Sequence, residues 1–293
     1  MSSSTPSGWR EALPWTSLSA LLERYETFLL DAYGVLVHGS GALPGAAAFL
    51  ETLRASGKRR LLLSNDASRL AETTLARMRG LGLELEPDEL LNSGMLIAAH
   101  FEAQGLRGAG CAVLGTADSI RFVEQAGGEI LALGDPAAEV LVVADDEGYP
   151  FVEGIERALN GASSRLERGA PVHLLLPNPD LIYPRADREI GLAAGAAALL
   201  IEQGLAVRFG AHAPRFHRLG KPHRPIFEAA LKRLGDPDRA RVVMLGDQLG
   251  TDVRGANEAE IDSVLLSTGL TRIHPALATG PHRPTWILEG LEA

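Results

Sequence analysis

The sequence Phe28-Leu29-Leu30-Asp31-Ala32-Tyr33-Gly34-Val35-Leu36 decides how this chain folds. Three apolar residues typical of a buried strand run directly into an aspartate, and Gly34 then favours a turn. The segment Val242-Val243-Met244-Leu245-Gly246-Asp247 shows the same pattern far downstream. Because open α/β sheets bind ligands at the carboxyl ends of their strands, Asp31 and Asp247 are predicted to face one crevice, where they could hold a divalent cation.

Composition limits the classes of protein to which the chain can belong. It has 293 residues, enough for two domains, and 46% of them are apolar. With 28 basic and 37 acidic side chains the net charge is −9, which disfavours binding to nucleic acid or to an anionic membrane surface. No apolar stretch reaches the roughly 18 residues of a membrane span. Cys111 is the single cysteine, so an intrachain disulfide is excluded and a cytoplasmic location is expected.

Strand and helix patterns alternate from about Thr27 to Ser267, which is typical of a parallel sheet with helical crossovers. A single sheet would need about ten strands, so an inserted second domain is more economical. We expect a Rossmann-like α/β core over residues 18–84 and 215–293, a smaller inserted α/β cap over 85–214, and a frayed N-terminal tail over 1–17. Helices are predicted at Asp88–Gln104 and Gly191–Glu202, among others.

Four short segments carry the candidate chemistry, and three of them follow predicted strands. In chain order they are Asp31-Ala32-Tyr33-Gly34, Leu63-Ser64-Asn65-Asp66, Leu219-Gly220-Lys221-Pro222 and Gly246-Asp247-Gln248-Leu249-Gly250-Thr251-Asp252. Taken together, they resemble the haloacid dehalogenase-like superfamily of phosphohydrolases. The long insert between the second and third segments resembles the α/β cap of the class IIA members. The resemblance implies a small phosphate ester as substrate and, since class IIA enzymes often use the cap for subunit contacts, a homodimer.

The resemblance assigns a role to four of these residues and to a neighbouring backbone carbonyl. Asp31 would attack phosphorus to give an aspartyl-phosphate, a reaction that needs a cation to neutralise the phosphoryl oxygens. Mg²⁺ would be held by the carboxylate of Asp31, the backbone carbonyl of Tyr33 and the carboxylate of Asp247. Asp252 would bind the metal through water or orient its ligands. Lys221 would place a positive charge beside the nucleophile and the phosphoryl group.

Substrate-binding residues are expected on two loops. Ser64 would offer its hydroxyl to the phosphoryl oxygens, and the backbone N–H groups of Asn65 and Asp66 would donate to them. Asn178 and Asp180 lie in a turn bracketed by prolines after a predicted cap strand. The sequence leaves open whether these two residues line the cleft or only fix the turn.

Tyr33 stands where the phosphatases of this superfamily usually have a second aspartate. That aspartate protonates the leaving group and later activates water, whereas a phenol is a poor base at neutral pH. Losing a positioned acid-base group lowers a rate by roughly 10²–10⁴-fold. We therefore expect slow turnover, substrates with good leaving groups, or a substitute group. His38, His217 and His223 are candidates for that substitute, although a structural or surface role is favoured for each.

Two other functions stay open on the sequence. The segment from Asp31 to Gly34 also matches the first motif of the 2-haloacid dehalogenases, which attack carbon and resemble metal-independent enzymes. The spacing of Asp247 and Asp252 favours the phosphatases over this alternative. Without its acid-base carboxylate, the chain is alternatively a weakly active or inactive protein that binds a phosphoryl ligand. Retention of Asp31, Lys221 and Asp247 argues against that interpretation, because binding alone does not require a nucleophile.

The cap is expected to exclude water and to select the substrate. The acidic loop Asp145-Asp146-Glu147-Gly148-Tyr149 follows a predicted cap strand. This loop either faces the cleft, where it would reject anionic substrate tails, or lies in solvent.

Overall fold

The computed structural model describes residues 14–39, 41–185, 189–269, 271 and 279–292. The strands, numbered in chain order, are β1 Thr27–Leu30, β2 Val37–His38, β3 Gly41–Ala42, β4 Arg59–Ser64, β5 Leu90–Asn92, β6 Gly110–Leu114, β7 Glu129–Ile130, β8 Val140–Val143, β9 His173–Leu176, β10 Ile182–Pro184, β11 Ile190–Leu192, β12 His217–Arg218, β13 Val242–Gly246, β14 Asp262–Leu266 and β15 Trp286–Leu288. The α-helices are α1 Leu18–Arg24, α2 Ala46–Ala55, α3 Ala71–Gly80, α4 Leu96–Gln104, α5 Ala117–Gln125, α6 Phe151–Glu167, α7 Ala194–Phe209, α8 Arg224–Arg233 and α9 Arg254–Glu258.

Six parallel strands form the core sheet in the order β15-β14-β13-β1-β4-β5. The strand β1 lies near the centre, between β4 and β13. Leu30 pairs with Leu245, so the segments that end in Asp31 and Asp247 reach the same edge of the sheet. The apolar residues of β1 are fully buried, as expected for a parallel strand covered on both faces. Helix α2 packs on one face through Phe49, and helix α8 packs on the other through Phe227.

The inserted region contains a second parallel sheet of five strands in the order β12-β9-β8-β6-β7. Helices α6 and α7 bury one face of this sheet through residues such as Ala158 and Ile201. Helices α4 and α5 cover the opposite face through Phe101 and Val123. The strands β10 and β11 form a separate antiparallel hairpin. The architecture is the Rossmann-like α/β core with an inserted α/β cap that the sequence predicts.

The two sheets extend past the predicted domain boundaries. Leu90 pairs with Leu62, so β5 belongs to the core sheet although the prediction assigned residues from 85 onward to the cap. His217 pairs with Leu175, so β12 completes the cap sheet although the prediction assigned residues from 215 onward to the core. The first two apolar residues of β5 extend the core sheet at its edge, where they are buried. The boundaries therefore lie several residues later than the sequence predicts.

Two predicted helices begin later in the structure than in the sequence prediction. The helix predicted at Asp88–Gln104 is preceded by a 3₁₀ turn, by β5 and by a second turn, and its α-helical part begins only at Leu96. Asn92 ends the strand there, because its side-chain oxygen accepts from the Met95 N–H at 3.1 Å. The helix predicted at Gly191–Glu202 begins at Ala194 instead, because Gly191 pairs with Tyr183 in the β10–β11 hairpin.

The described part of the predicted N-terminal tail is folded onto the core. Residues 1–13 lie outside the described residues. Trp15 bridges to Ile287, and the Thr16 N–H donates to the Ile287 carbonyl at 2.9 Å. Residues 14–16 therefore extend the core sheet beyond β15. Within the described ranges, the helices lack either the length or the apolar character that a membrane crossing requires.

Candidate active site

Asp31 lies directly after β1 and forms the centre of a buried charged cluster. Its backbone N–H donates to the Leu245 carbonyl at 2.9 Å, which continues the β1–β13 pairing and fixes the position of the residue. The Lys221 Nζ donates to Asp31 Oδ1 at 2.6 Å. The Lys221 side chain is only 2% exposed, so this contact is made largely out of water. The structure thus brings together the predicted nucleophile and the predicted cation.

Asp252 receives hydrogen bonds on both of its carboxylate oxygens. Its Oδ1 accepts from Lys221 Nζ at 2.7 Å, and its Oδ2 accepts from the backbone N–H groups of Asp247 and Gln248 at 3.2 and 3.1 Å. The residue lies in a π-helical turn, Leu249–Val253, between β13 and α9. Such local widening of a helix is frequent at functional sites. Asp252 therefore holds the Asp247 backbone and the Lys221 ammonium in fixed positions.

Burial and the neighbouring charges change the pKa values of Asp31 and Lys221. Burial raises the pKa of Asp31, an effect that the Lys221 ammonium opposes and the Asp252 carboxylate strengthens. Burial disfavours the charged form of Lys221, but the carboxylates of Asp252 and Asp31 outweigh it and raise the pKa of this lysine above its ordinary value. Lys221 is therefore charged at neutral pH.

The donor set of this cluster fits a hard divalent cation. Carboxylate oxygens of Asp31, Asp247 and Asp252 all lie within 4.8 Å of one another, and all three residues are buried. Mg²⁺ prefers oxygen ligands of this kind and keeps several waters. Buried carboxylates that converge without enough positive charge are costly, so a cation at this place would offset their repulsion.

The loop after β4 is held by its own side chains. Asn65 brackets the Lys221 backbone, because its Oδ1 accepts from the Lys221 N–H at 2.6 Å and its Nδ2 donates to the Lys221 carbonyl at 3.0 Å. The Asp66 carboxylate accepts from the Ser68 N–H at 2.7 Å, and the Asp66 N–H donates to Ser64 Oγ at 3.2 Å. The side chains of Asn65 and Asp66 thus shape the loop, while Ser64 lies at the cleft wall.

Asn178 and Asp180 line the cleft and also fix a turn. The Asn178 Oδ1 accepts from the Asp180 N–H at 3.0 Å, an arrangement typical of an Asx turn. The Asp180 Oδ1 accepts from Asn65 Nδ2 at 2.9 Å, which joins the cap to the core loop. Burial raises the pKa of Asp180 to about 6. These two residues therefore line the cleft in addition to fixing the turn.

A cleft of about 130 Å³ lies above Asp31, between the core and the cap. Tyr33 forms part of its wall, and the Arg77 guanidinium carbon lies 5.4 Å from the centroid of the Tyr33 ring. The acidic loop faces this cleft through Asp145, Asp146 and Glu147, although Glu147 is largely exposed. Burial raises the pKa of Asp145 to about 6. The cap therefore presents negative charge to whatever enters the cleft.

Two parts of the cleft wall were missed by the sequence reasoning. Arg69 lines the cleft and forms an ion pair with Asp66 at 3.1 Å between Nη1 and Oδ2. A basic residue five positions after Ser64, in the loop that leads into α3, was the signal that could have indicated it. Residues 182–184 of β10 supply another wall. That strand gave no periodic signal, because its three residues end in Pro184.

The histidines proposed as substitutes for the missing aspartate do not line this cleft within the described ranges. His217 lies in β12, where its ring stacks on that of His173 with centroids 4.5 Å apart. His223 precedes α8, and burial lowers the pKa of its imidazole. The structural role that the sequence favoured for His217 agrees with its position in this stack.

Family models match both halves of the core. Residues 28–129 match the model described as haloacid dehalogenase-like hydrolase, and residues 218–293 match one described as HAD-hydrolase-like. The two matched ranges contain Asp31, Lys221, Asp247 and Asp252.

Named relatives cover nearly the whole chain. Glycerol-3-phosphate phosphatase of Gallus gallus is 29% identical over 260 residues, which cover 87% of this chain and 83% of the relative. Acid sugar phosphatase of Staphylococcus aureus is 26% identical over 252 residues, which cover 86% of this chain and 90% of the relative. The crystal structure of a possible sugar phosphatase from Cytophaga hutchinsonii superimposes with a TM-score of 0.82 at 29% identity, covering 95% of this chain and 98% of the other. The chain therefore belongs to the haloacid dehalogenase-like hydrolases, in the class IIA group of phosphatases.

Proposed function

We propose that the chain hydrolyses a small phosphomonoester, with Mg²⁺ as cofactor and an aspartyl-phosphate on Asp31 as intermediate. The contact of 2.6 Å between the Lys221 ammonium and Asp31 Oδ1 is the observation that carries this proposal, since Asp31 lines the cleft and has the carboxylates of Asp247 and Asp252 within 4.8 Å. A carboxylate at that place can attack a phosphorus atom that the cleft presents to it.

The carboxylates of Asp31 and Asp247 and the backbone carbonyl of Tyr33 would hold the magnesium ion. When bound, the ion would neutralise the phosphoryl oxygens and so make attack by an anionic nucleophile possible. Asp252 would act as a positioning residue, because both its oxygens already accept hydrogen bonds from Lys221 and from backbone N–H groups.

The remaining residues would orient the phosphoryl group and its ester. Lys221 keeps one oxygen of Asp31 in place and adds positive charge where the phosphoryl oxygens would lie. Ser64 would donate its hydroxyl to a phosphoryl oxygen, and the N–H groups of Asn65 and Asp66 would add further donors. Because the Asp66 N–H donates to Ser64 Oγ in this structure, that bond would be exchanged for one to the substrate.

A short polyol or sugar phosphate is the substrate class that we propose. The named activities of the Gallus gallus and Staphylococcus aureus relatives support it, as do the small cleft volume and the polar side chains of Asn178 and Asp180 in the wall. The named relatives give no support to the 2-haloacid dehalogenase alternative. A cytoplasmic location and a homodimer stay our expectations, and light scattering on the purified protein would test the dimer.

Phosphate release from 4-nitrophenyl phosphate tests the proposal. We expect release with Mg²⁺, no release with a chelator, and no release from the Asp31→Asn variant, which keeps the shape of the side chain without its nucleophilic charge. Circular dichroism would check that the variant is folded. Unchanged activity in Asp31→Asn would overturn the mechanism. Halide release from 2-chloropropionate without metal would favour the dehalogenase alternative, and ligand-induced thermal stabilisation without either release would favour a binding protein.

A further inference from the structure

Three histidines meet at one place outside the cleft. His100 comes from α4, His173 begins β9 and His217 begins β12. The ring centroid of His100 lies 5.1 Å from that of His173 and 5.5 Å from that of His217. One ring nitrogen from each of the three residues lies within 4.8 Å of the other two. We call this group the histidine cluster.

Strand pairing explains why the histidine cluster forms. His217 pairs with Leu175 across the β9–β12 ladder, so both side chains lie on the same face of the cap sheet. Alternation along β9 places His173 on that face too, because it precedes Leu175 by two residues. Leu175 packs in the same apolar cluster as Phe101, which follows His100 in α4. The sheet and the helix therefore present their imidazoles to one another.

In the histidine cluster, a ring nitrogen of His100 faces a ring nitrogen of His173. The Nε2 atoms of His100 and His173 are 2.8 Å apart, and the rings of His173 and His217 are nearly parallel, at 5°. Metal ions bind imidazole through a ring nitrogen, and in the histidine cluster such nitrogens converge from all three residues.

We infer that the histidine cluster binds a divalent transition-metal ion, for which Zn²⁺ is the best-matched occupant. Imidazole nitrogens suit zinc, copper and nickel, whereas Mg²⁺ requires oxygen ligands, so this cluster and the carboxylate cluster differ in metal preference. Three protein ligands and one open position are a common zinc arrangement. Two nitrogens on a tetrahedral zinc ion are about 3.3 Å apart, so the His100 and His173 rings would need to separate by about 0.5 Å and exchange their hydrogen bond for the ion. Because a bound ion lies in the plane of each imidazole ligand, the exposed His217 ring would also need to turn out of its stack on His173. The exposed side of His217 leaves the fourth position open to water.

The location of the histidine cluster gives the ion a structural effect. Helix α4 follows the last core strand before the cap and packs against both α5 of the cap and α8 of the core. Strand β12 leads back from the cap to the loop that carries Lys221. A metal ion bound by residues from α4, β9 and β12 would therefore link the two segments, α4 and β12, at which the chain passes between core and cap. Zn²⁺ should for this reason raise the melting temperature.

Calorimetric titration with Zn²⁺, in Mg²⁺ sufficient to fill the carboxylate site, tests this inference on the full chain. We expect the wild type to bind one equivalent with an increase in melting temperature. His217→Ala should bind at least tenfold more weakly and lose the thermal shift. His212→Ala is the matched control, because His212 is an exposed histidine in a separate turn, Gly210–His212, and it should behave as the wild type. Co²⁺ in place of Zn²⁺ should give visible absorption that His217→Ala removes.

A second variant separates the histidine cluster from the cleft. Asp247→Asn removes a carboxylate ligand of the proposed magnesium site and leaves the imidazoles unchanged, so Zn²⁺ affinity should persist in it. If Zn²⁺ binding survives in His217→Ala but is lost in Asp247→Asn, the zinc lies in the cleft and the inference is wrong. Absence of binding in the wild type also overturns it. If His217→Ala proves unfolded by circular dichroism, His217→Gln takes its place with the same expected loss. None of these outcomes depends on phosphatase activity.

Discussion

Lys221 organises a buried cluster of charges behind the cleft residue Asp31. Lys221 bonds to Asp31 and to Asp252 with nitrogen–oxygen distances of 2.6 and 2.7 Å, while Asn65 holds the lysine backbone. Removing one partner of a buried ion pair leaves an uncompensated charge, so these residues depend on one another for stability as well as for chemistry.

Tyr33→Asp tests whether the missing acid-base group limits the rate. We expect the substitution to raise phosphatase turnover by about tenfold or more, because a positioned carboxylate can protonate the leaving group and then activate water. Steady-state kinetics with glycerol phosphate and Mg²⁺ would measure it. Tyr33→Asn is the matched control, since it removes the ring without supplying a titrating group. A rate that stays the same or falls in Tyr33→Asp would show that another group does this work.

The titration of Asp180 predicts a pH dependence of stability. Burial raises the pKa of Asp180 to about 6 in the folded protein, against roughly 4 in an unfolded chain. Between these values the folded state binds more protons than the unfolded state, so this residue's contribution to stability falls as pH rises from about 4 to about 6. Asp180→Asn removes the titration, and its amide oxygen can still accept from Asn65.

Urea unfolding at several pH values would measure this effect. The free energy of unfolding of the wild type, relative to that of Asp180→Asn, should fall across the window from pH 4 to pH 6. Parallel stability curves for the two proteins over that window would contradict the assignment. Subtracting the variant cancels the other buried carboxylates, including Asp145, whose pKa burial raises in the same direction.

At the scale of elements, the loop between β1 and β2 depends on a glycine. Gly34 has φ of +78°, and a Cβ at this position would clash with the Asp247 carboxylate. The Gly34 carbonyl accepts from Thr268 Oγ1 at 2.9 Å, which fixes the loop from the other side. The close approach of β1 and β13 at their carboxyl ends therefore leaves no room for a side chain.

Gly34→Ala should lower both stability and activity. Left-handed backbone at a residue with a side chain costs about 1–2 kcal/mol, and displacing Asp247 by an ångström should reduce turnover by about 100-fold. Gly57→Ala is the matched control, because Gly57 has φ of +64° with no atom within 4 Å of its added Cβ. That variant should lose similar stability with unchanged activity. Equal activity in the two variants would refute the role of this close approach.

Strands with an uninterrupted apolar run could be predicted from the sequence, whereas strands that contain residues typical of turns or helix starts could not. The strand Val140–Val143 consists of four consecutive valine and leucine residues, a run typical of a strand buried on both faces. β5 was hidden because Pro87 and Asp88 are typical of a helix start, while only Leu90 to Asn92 form the strand. β10 and β11 contain Pro184 and Gly191, which disfavour strands, and only their pairing with each other makes them a hairpin.

The candidate site was predictable where it depends on strand ends. Asp31 and Asp247 follow apolar strands, so their convergence follows from the rule that parallel strands end at one edge. The hydrogen bond between Asn65 and Asp180 could not be predicted, because it depends on how the cap packs against the core. Arg69 was missed for the same reason, since its place in the cleft wall depends on the path of the loop that carries it.

At the scale of the whole molecule, the cap places an acidic loop over the core site that we propose binds a phosphoryl group. Asp145 is held in this loop, where its carbonyl accepts from Tyr149 Oη at 3.1 Å and its Oδ1 accepts from the Glu147 N–H at 2.9 Å. The phosphoryl group would lie beside Lys221, away from this loop, while the rest of the substrate would lie under it. Substrates with a second negative charge should therefore be disfavoured.

Neutralising the loop tests this selection. The triple substitution Asp145→Asn, Asp146→Asn and Glu147→Gln should raise kcat/KM for a sugar bisphosphate by about tenfold at low salt, because the repulsion between like charges is removed. The value for glycerol phosphate should change little, and this substrate serves as the internal control. The gain should shrink as ionic strength rises, since salt screens exposed charges. An equal change for both substrates would show that the loop does not select by charge.

The position of β1 between β4 and β13 also bears on how the chain is made. A ribosome delivers β1 and β4 early, then all five strands of the cap sheet, and only afterwards β13. A nascent chain halted before residue 242 would have every strand of the cap sheet, yet one edge of β1 would be bare and Asp31 would lack Asp247. Catalytic competence should therefore arise only after β13 and Asp247 have left the ribosome, and until then β1 has an unpaired strand edge of the kind that pairs with other chains.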